Sequence, residues 1–169
     1  MSAYYNPNDF PFLLPLKDNW EKIRLEYNAI QSNTLLWPED IHNGKWEVIG
    51  LRFQGQDLPM LNQTPTLMEI CSNPVFYTFG FSIMRAGAEI YPHTGLTNKL
   101  LRAHLTLYSN EMCALMADGE EYNWTEGDLM VFDDTFMHSA WNRGSTDRII
   151  LLLDFFKDGK TTQIEKYQL

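Results

Sequence analysis

Between residues 75 and 156 the chain is cut into short apolar and aromatic runs: VFYTFGFSIM, AEIYPH, LLRAHLTLY, MCALMADG, DLMVFDD, HSAWN and DRIILLLDFF. Runs of this length, rich in β-branched and aromatic residues, read as strands. They are separated by turn signals at Arg85-Ala86-Gly87, Asp118-Gly119, Glu126-Gly127-Asp128 and Asn142-Arg143-Gly144. Turns so closely spaced send each strand back against an earlier one, as in an antiparallel barrel or sandwich. KWEVIGLRFQG adds an eighth strand upstream.

The remaining N-terminal half has helical periodicity in two places. Trp20, Ile23, Tyr27 and Ile30 recur at helical spacing, and Asp18 with Glu21 three residues later has the pattern of a capping box. This predicts a helix over about 19–31. In TPTLMEICSNP, Thr64 can cap, Pro65 can open the first turn, Leu67, Ile70 and Cys71 share a face, and Asn73-Pro74 ends the element. Eight strands and two helices predict a mainly β double-stranded β-helix, a jelly roll of the cupin-like kind, with the N-terminal helices packed on one sheet. With no repeat, low-complexity tract or linker, one domain spanning 1–169 is expected.

Composition narrows the function classes. At 169 residues and 44% hydrophobic, the chain can bury about 70% of its unfolded surface. Thirteen Lys and Arg against 22 Asp and Glu give a net charge of −9, which repels nucleic acid and anionic membrane surfaces. Cys71 and Cys113 have no CxxC spacing and are expected as buried thiols in a reducing compartment. The FPFLLPL run is short, carries two prolines and lacks a basic leader, so neither signal peptide nor membrane insertion is expected. The expected location is cytoplasmic.

Several polar residues sit where an ordinary strand would not need them. In LLRAHLTLY, alternation puts Leu101, Ala103, Leu105 and Leu107 on one face and Arg102, His104, Thr106 and Tyr108 on the other. His93, in PHTG, ends a strand, but the second position after it is Gly95, where two-histidine, one-carboxylate iron sites carry an acid. His138 follows 45 positions later. Two imidazoles suit Fe(II), Zn or Cu without selecting among them, and each histidine alone also fits a hydrogen-bonded core or surface position. Arg148 opens an apolar strand, so it must lie at a solvent end or pair with an anion. Its planar fork matches a carboxylate, which makes a dicarboxylate co-substrate a natural partner.

Together PHTG, LRAHL, GD-x-x-VFDDTF-x-H and the spacing from Arg148 to Asp154 resemble the aspartyl/asparaginyl β-hydroxylase family, Fe(II)- and 2-oxoglutarate-dependent dioxygenases on a jelly-roll core. The resemblance is specific from about Phe81 to Asp154. It implies that His93 and His138 hold the iron and that Arg148, helped by Ser82, holds the distal carboxylate of 2-oxoglutarate. Arg102 and His104 would lie near its keto-acid end and the substrate. Glycine at the third-ligand position belongs to the family pattern, so Gly95 is expected. Asp134 would be an outer carboxylate holding metal-bound water, and Asp133 a structural one on the opposite face if the strand continues through both. The implied reaction consumes O2 and 2-oxoglutarate and hydroxylates an unactivated C–H bond, such as the β-carbon of an Asp- or Asn-like group in a peptide or small acid.

Leu100 departs from the peptide-modifying members, which carry a basic residue before the arginine of this strand and a further helical-repeat domain. Alternative readings are a halogenase, a lipid acyl-chain hydroxylase and a non-catalytic metal-binding jelly roll. Substrate-gripping residues are expected from the N-terminal half, with His42 in WPEDIHNGKW and Arg52 as candidates.

Overall fold

A computed structural model describes residues 2–160. In chain order the strands are β1 (Tyr4–Tyr5), β2 (Leu35–Leu36), β3 (Trp46–Phe53), β4 (Gln56–Asp57), β5 (Phe76–Met84) and β6 (Glu89–His93), then β7 (Leu100–Tyr108), β8 (Cys113–Ala117), β9 (Glu120–Tyr122), β10 (Leu129–Phe132), β11 (His138–Asn142) and β12 (Arg148–Phe156). The larger sheet runs β1-β10-β7-β12-β5-β3-β2 with β4 paired to β3, and the smaller runs β6-β11-β8-β9. From β5 to β8 and again from β10 to β12, successive strands pass from one sheet to the other. That crossing makes the jelly roll, as the pattern of short strands and turns predicts.

The larger sheet is buried on both faces. On β12, Leu151, Leu153 and Phe155 face the helices, while Ile150 and Leu152 face the smaller sheet. This explains why RIILLLDFF reads as an unbroken apolar run instead of an alternating one. The helices α1 (Leu14–Asp18), α2 (Trp20–Ile30) and α3 (Pro65–Ile70) all pack on the outer face of that sheet. Tyr27 of α2 meets Phe81 edge-on at 5.3 Å, and Phe12 meets Phe155 in the same way, also at 5.3 Å. Each such pair adds about 0.5–1.5 kcal/mol beyond simple burial.

Local details depart from the sequence reading where tertiary packing competes. Asp18 ends α1 instead of capping α2, and Asn19 takes the N-cap position with its side-chain amide donating back to the Pro15 carbonyl at 2.7 Å, so it makes no capping bond to α2. The cause lies upstream: the FPFLLPL run itself turns helical, burying Leu13 and Leu16 against the sheet. Thr64 takes the N-cap position of α3, but its hydroxyl donates to the Leu61 carbonyl at 3.0 Å and makes no capping bond to the helix. In β7 the alternation fails at its end: Thr106 pairs with Ile150 and Tyr108 with Ile149, so Leu107 is an extra residue in the ladder. The bulge turns Tyr108 to the helix side, where its hydroxyl donates to Asn28 Oδ1 at 2.9 Å. β1, β2, β4 and β9 escaped the sequence reading because two or three residues carry no period. Cys71 and Cys113 are free, buried thiols, and no helix among the described residues is long and apolar enough to cross a membrane.

β3 and β5 approach closely at one point. Gly80 pairs with Gly50, and a Cβ at Gly80 would lie 2.5 Å from the Ile49 carbonyl oxygen. Backbone cannot step aside as a flexible side chain can, so Gly80→Ala is expected to cost about 1–3 kcal/mol. Chemical denaturation should show a lower midpoint with an unchanged slope; an unchanged midpoint would mean the two strands separate freely.

Candidate active site

Between the two sheets a pocket gathers Trp46, Ser82, His93, Arg102, His104, His138 and Arg148. The antiparallel ladder of β6 and β11 sets His93 directly opposite His138, with ring centroids 4.2 Å apart. His93 Nδ1 lies 2.7 Å from the Tyr91 carbonyl and His138 Nδ1 lies 2.9 Å from the Phe136 carbonyl. A carbonyl only accepts, so each neutral ring carries its proton on Nδ1 and presents a bare lone pair at Nε2. Burial lowers His93, and burial, with repulsion between the two imidazolium forms and from Arg102, pushes His138 down to about 4. Two adjacent imidazole lone pairs are a donor set that suits a divalent transition metal. Among the described residues no group of three or more His, Cys, Asp or Glu side chains could hold a metal ion.

The space beside Gly95 is already taken. Its backbone N–H donates to the Asp134 carbonyl at 2.6 Å, and a Cβ added there would collide with the Asp134 carboxylate. Glycine at 95 therefore makes room for Asp134. β10 ends at Phe132, so the two aspartates are arranged by a turn and not by strand alternation. Asp133 accepts from the backbone N–H and hydroxyl of Thr135, a structural role that matches expectation. Burial raises the Asp134 carboxyl to about 6, outweighing the nearby Arg102.

Arg102 is held from two sides. Its Nε and Nη2 fork onto the Asp154 carboxylate at 2.8 and 3.0 Å, and Asp134 lies 3.7 Å from Nη2. Burial alone would lower its proton affinity, but the Asp154 and Asp134 charges more than offset this. The sequence reading did not assign Asp154 a place at the site. Period two along β12 contains the signal, because Arg148, Ile150, Leu152 and Asp154 fall on one face.

Arg148 lies at the other side of the pocket, 2% exposed, so it is not at a solvent end. Its Nη2 donates to Ser82 Oγ at 2.7 Å and to the Ser82 carbonyl at 3.2 Å, and its guanidinium lies 4.6 Å over the Trp124 ring. Nε is buried without a hydrogen-bond partner, and among the described residues no carboxylate pairs with this cation. Burial lowers it to about 9, which leaves it charged at neutral pH. Ser82 Oγ also accepts from Trp46 Nε1 at 2.8 Å, so its own hydroxyl hydrogen stays available to a third group.

Trp124, which the sequence reading passed over, organises the remaining histidine. Its indole Nε1–H donates to His104 Nδ1 at 3.2 Å, which assigns the His104 proton to Nε2. That Nε2–H is buried without a partner on a pocket-lining residue only 4% exposed. Burial, then the positive charges of Arg148 and Arg102, hold His104 neutral. The pocket thus combines two bare lone pairs with a guanidinium, a hydroxyl and an imidazole N–H awaiting an anion. His42 and Arg52 are engaged elsewhere: His42 bonds the Trp37 carbonyl and the Gly44 N–H, and Arg52 pairs with Asp57 at 2.6 Å.

Comparison with known proteins places this arrangement. The family model described as aspartyl/asparaginyl beta-hydroxylase matches residues 17–158. The human aspartyl/asparaginyl beta-hydroxylase is 34% identical over 161 residues, covering 88% of this chain and 21% of that protein. The chain therefore spans about a fifth of the length of that curated relative. An ornithine lipid ester-linked acyl 2-hydroxylase from Rhizobium tropici is 36% identical over 91 residues, 52% of this chain and 32% of that one. A solved Pseudomonas putida prolyl-4-hydroxylase superposes with a TM-score of 0.53 at 16% identity, over 80% of this chain and 86% of that one, a likeness of fold. On the extent of the family match, the chain belongs to the aspartyl/asparaginyl β-hydroxylase family.

Proposed function

We propose that this chain is an Fe(II)- and 2-oxoglutarate-dependent hydroxylase, with His93 and His138 holding the metal through Nε2 and with Arg148, Ser82 and His104 holding 2-oxoglutarate. The observation that carries this reading is Arg148. A buried guanidinium with no carboxylate partner among the described residues bears a desolvation cost of several kcal/mol, and a ligand carboxylate supplies the missing charge. Ser82 adds a hydroxyl donor at the same end, and His104 adds an Nε2–H. The donors and the two lone pairs together suit a chelating dianion beside a divalent cation.

When bound, Fe(II) with O2 and 2-oxoglutarate supplies the oxidation: 2-oxoglutarate is converted to succinate and CO2 as one oxygen atom enters a substrate C–H bond. The protein's part is placement. Trp124 keeps the His104 proton on Nε2, Trp46 and Arg148 orient the Ser82 hydroxyl, and the carbonyls of Tyr91 and Phe136 fix the two metal-facing nitrogens. Asp134 places a carboxylate beside Gly95, suited to accept a hydrogen bond from water there and unfavourable to a halide. That favours hydroxylation over halogenation. The Asp- or Asn-like groups that give the family its name are one substrate class to try beside others.

The direct test is succinate release on adding Fe(II) and 2-oxoglutarate, with mass spectrometry for the gain of one oxygen atom across peptides, free amino acids and acyl lipids. Absence of both signals with every substrate would leave a non-catalytic binding protein. Arg148→Ala should raise the 2-oxoglutarate KM by roughly 30-fold or more, since loss of one partner of a buried charge pair costs about 2–5 kcal/mol. An unchanged KM in folded protein would sink the assignment of the cradle. Trp124→Phe keeps a ring over Arg148 but removes the indole N–H, so 2-oxoglutarate should bind roughly three- to tenfold more weakly with little change in Tm. Gly95→Ala is expected to abolish turnover while leaving far-UV circular dichroism unchanged. Activity within about twofold of the parent, within the scatter of surface substitutions, would show that Asp134 need not stay where it is.

A further inference from the structure

The pocket opens sideways into a groove of about 770 Å3 whose role is not accounted for by the metal or 2-oxoglutarate. Its floor is the inner face of β3, β5 and β12, where Gly50 pairs with Gly80 and Gly80 with Leu152. Gly80 leaves this part of the floor without a side chain of its own, while the Leu58 side chain covers Gly50 and adds an apolar surface beside it. Leu35 and Leu36, 75% and 59% exposed, stand on the wall with Phe53 and Met60. A groove of this size falls within the roughly 300–1,000 Å3 of sites that enclose drug-sized ligands, and a free aspartate would fill little of it.

The charges along the groove have a definite sign. Five charged side chains line it: Glu39, Arg52, Arg102, Asp134 and Asp154. Both arginines are committed, Arg52 to Asp57 and the Phe76 carbonyl, Arg102 to both oxygens of Asp154. Arg102 carries one positive charge against both Asp154 and Asp134, the latter 3.7 Å away, so with Glu39 the groove keeps a net negative charge; Glu39 accepts from Trp37 Nε1 and acts electrostatically on both His93 and Arg102. Leu100, two residues before Arg102 on β7, lines the groove as an aliphatic side chain where an acid would need a cation. A carboxylate-bearing substrate therefore meets repulsion at the mouth and finds no uncommitted arginine among the described lining residues.

We propose that this groove selects an amphipathic amine, its apolar body lying over Gly80 against Leu58, Leu35 and Leu36 and its cationic nitrogen beside Asp134 and Glu39, with Leu100 as the residue that excludes acidic substrates. The groove's continuity with the histidine pair and its charge support this choice of occupant. The proposal rests on the hydroxylase reading for the reaction performed on that substrate, but the selectivity itself is a binding property of the protein.

Octylamine, octanol and octanoate share one chain and differ in head-group charge. Each is titrated into the protein without added metal or 2-oxoglutarate, following the fluorescence of Trp37 and Trp46, which stack in the groove wall with ring centroids 3.9 Å apart. Octylamine is expected to bind at least about tenfold more tightly than octanoate, with octanol between them. Leu36→Lys, at an exposed position that folding tolerates, should narrow or reverse that order, and Leu100→Arg should reverse it. Octanoate binding as tightly as octylamine would overturn the proposal. So would an order that Leu36→Lys leaves unchanged, since the preference would then belong to the protein's overall negative charge. Failure to bind 2-oxoglutarate with this order intact would overturn the hydroxylase reading alone.

Discussion

The site is organised around a buried positive charge that the described protein does not neutralise. Arg148 is 2% exposed, and the groups that meet it are Ser82, the face of Trp124 and no carboxylate. Holding a cation in such a place is unfavourable unless an anion joins it, so the surrounding residues make sense as one assembly. Ser82 is oriented by Arg148 and Trp46 together. Trp124 lies beneath the guanidinium and at the same time sets the tautomer of His104. A second arginine, Arg102, shows the contrast: its two carboxylate neighbours complete it, and it needs no ligand.

Strand register carries these groups to one place. Antiparallel pairing sets His93 against His138 in the small sheet and Arg102 against Asp154 in the large one. Period two on β12 then puts Arg148 and Asp154 on the same face, three strand positions of alternation apart. The chain contributes site residues from β5, β6, β7, β11 and β12, so no local segment could form the pocket by itself. The outer face of the large sheet, packed by α1, α2 and α3, keeps that register from slipping, because a shift by one residue would turn Leu151, Leu153 and Phe155 inward and drive Arg148 and Asp154 into the apolar core beneath the helices.

The family match and the geometry support one another without being the same observation. Similarity over residues 17–158 establishes membership, while the tautomers of three histidines and the state of Arg148 say how these particular side chains are poised. The groove adds what membership leaves open. Its floor at Gly80 beside Leu58 and its committed arginines belong to this chain, and they bear on what can approach the histidine pair.

The eight longer strands, the jelly-roll class and the helices over Trp20–Ile30 and Pro65–Ile70 were legible in the sequence, because alternation and turn residues are local and repeat over several residues. Ser82, His93, Arg102, His104, Asp134, His138 and Arg148, which the structure gathers around one pocket and its adjoining groove, were legible as candidates. The partners of those residues were not. That Arg102 is committed to Asp154 while Arg148 meets no carboxylate among the described residues, that Asp134 fills the place beside Gly95, that Trp124 assigns the His104 proton and that Tyr108 turns away at a bulge depend on contacts between strands distant in the chain. A sequence specifies which groups are present and which face of a strand they occupy. Whether a charge is paired, a nitrogen protonated or a space already filled is decided by neighbours across the sheets, and only the tertiary structure brings those neighbours within hydrogen-bonding distance.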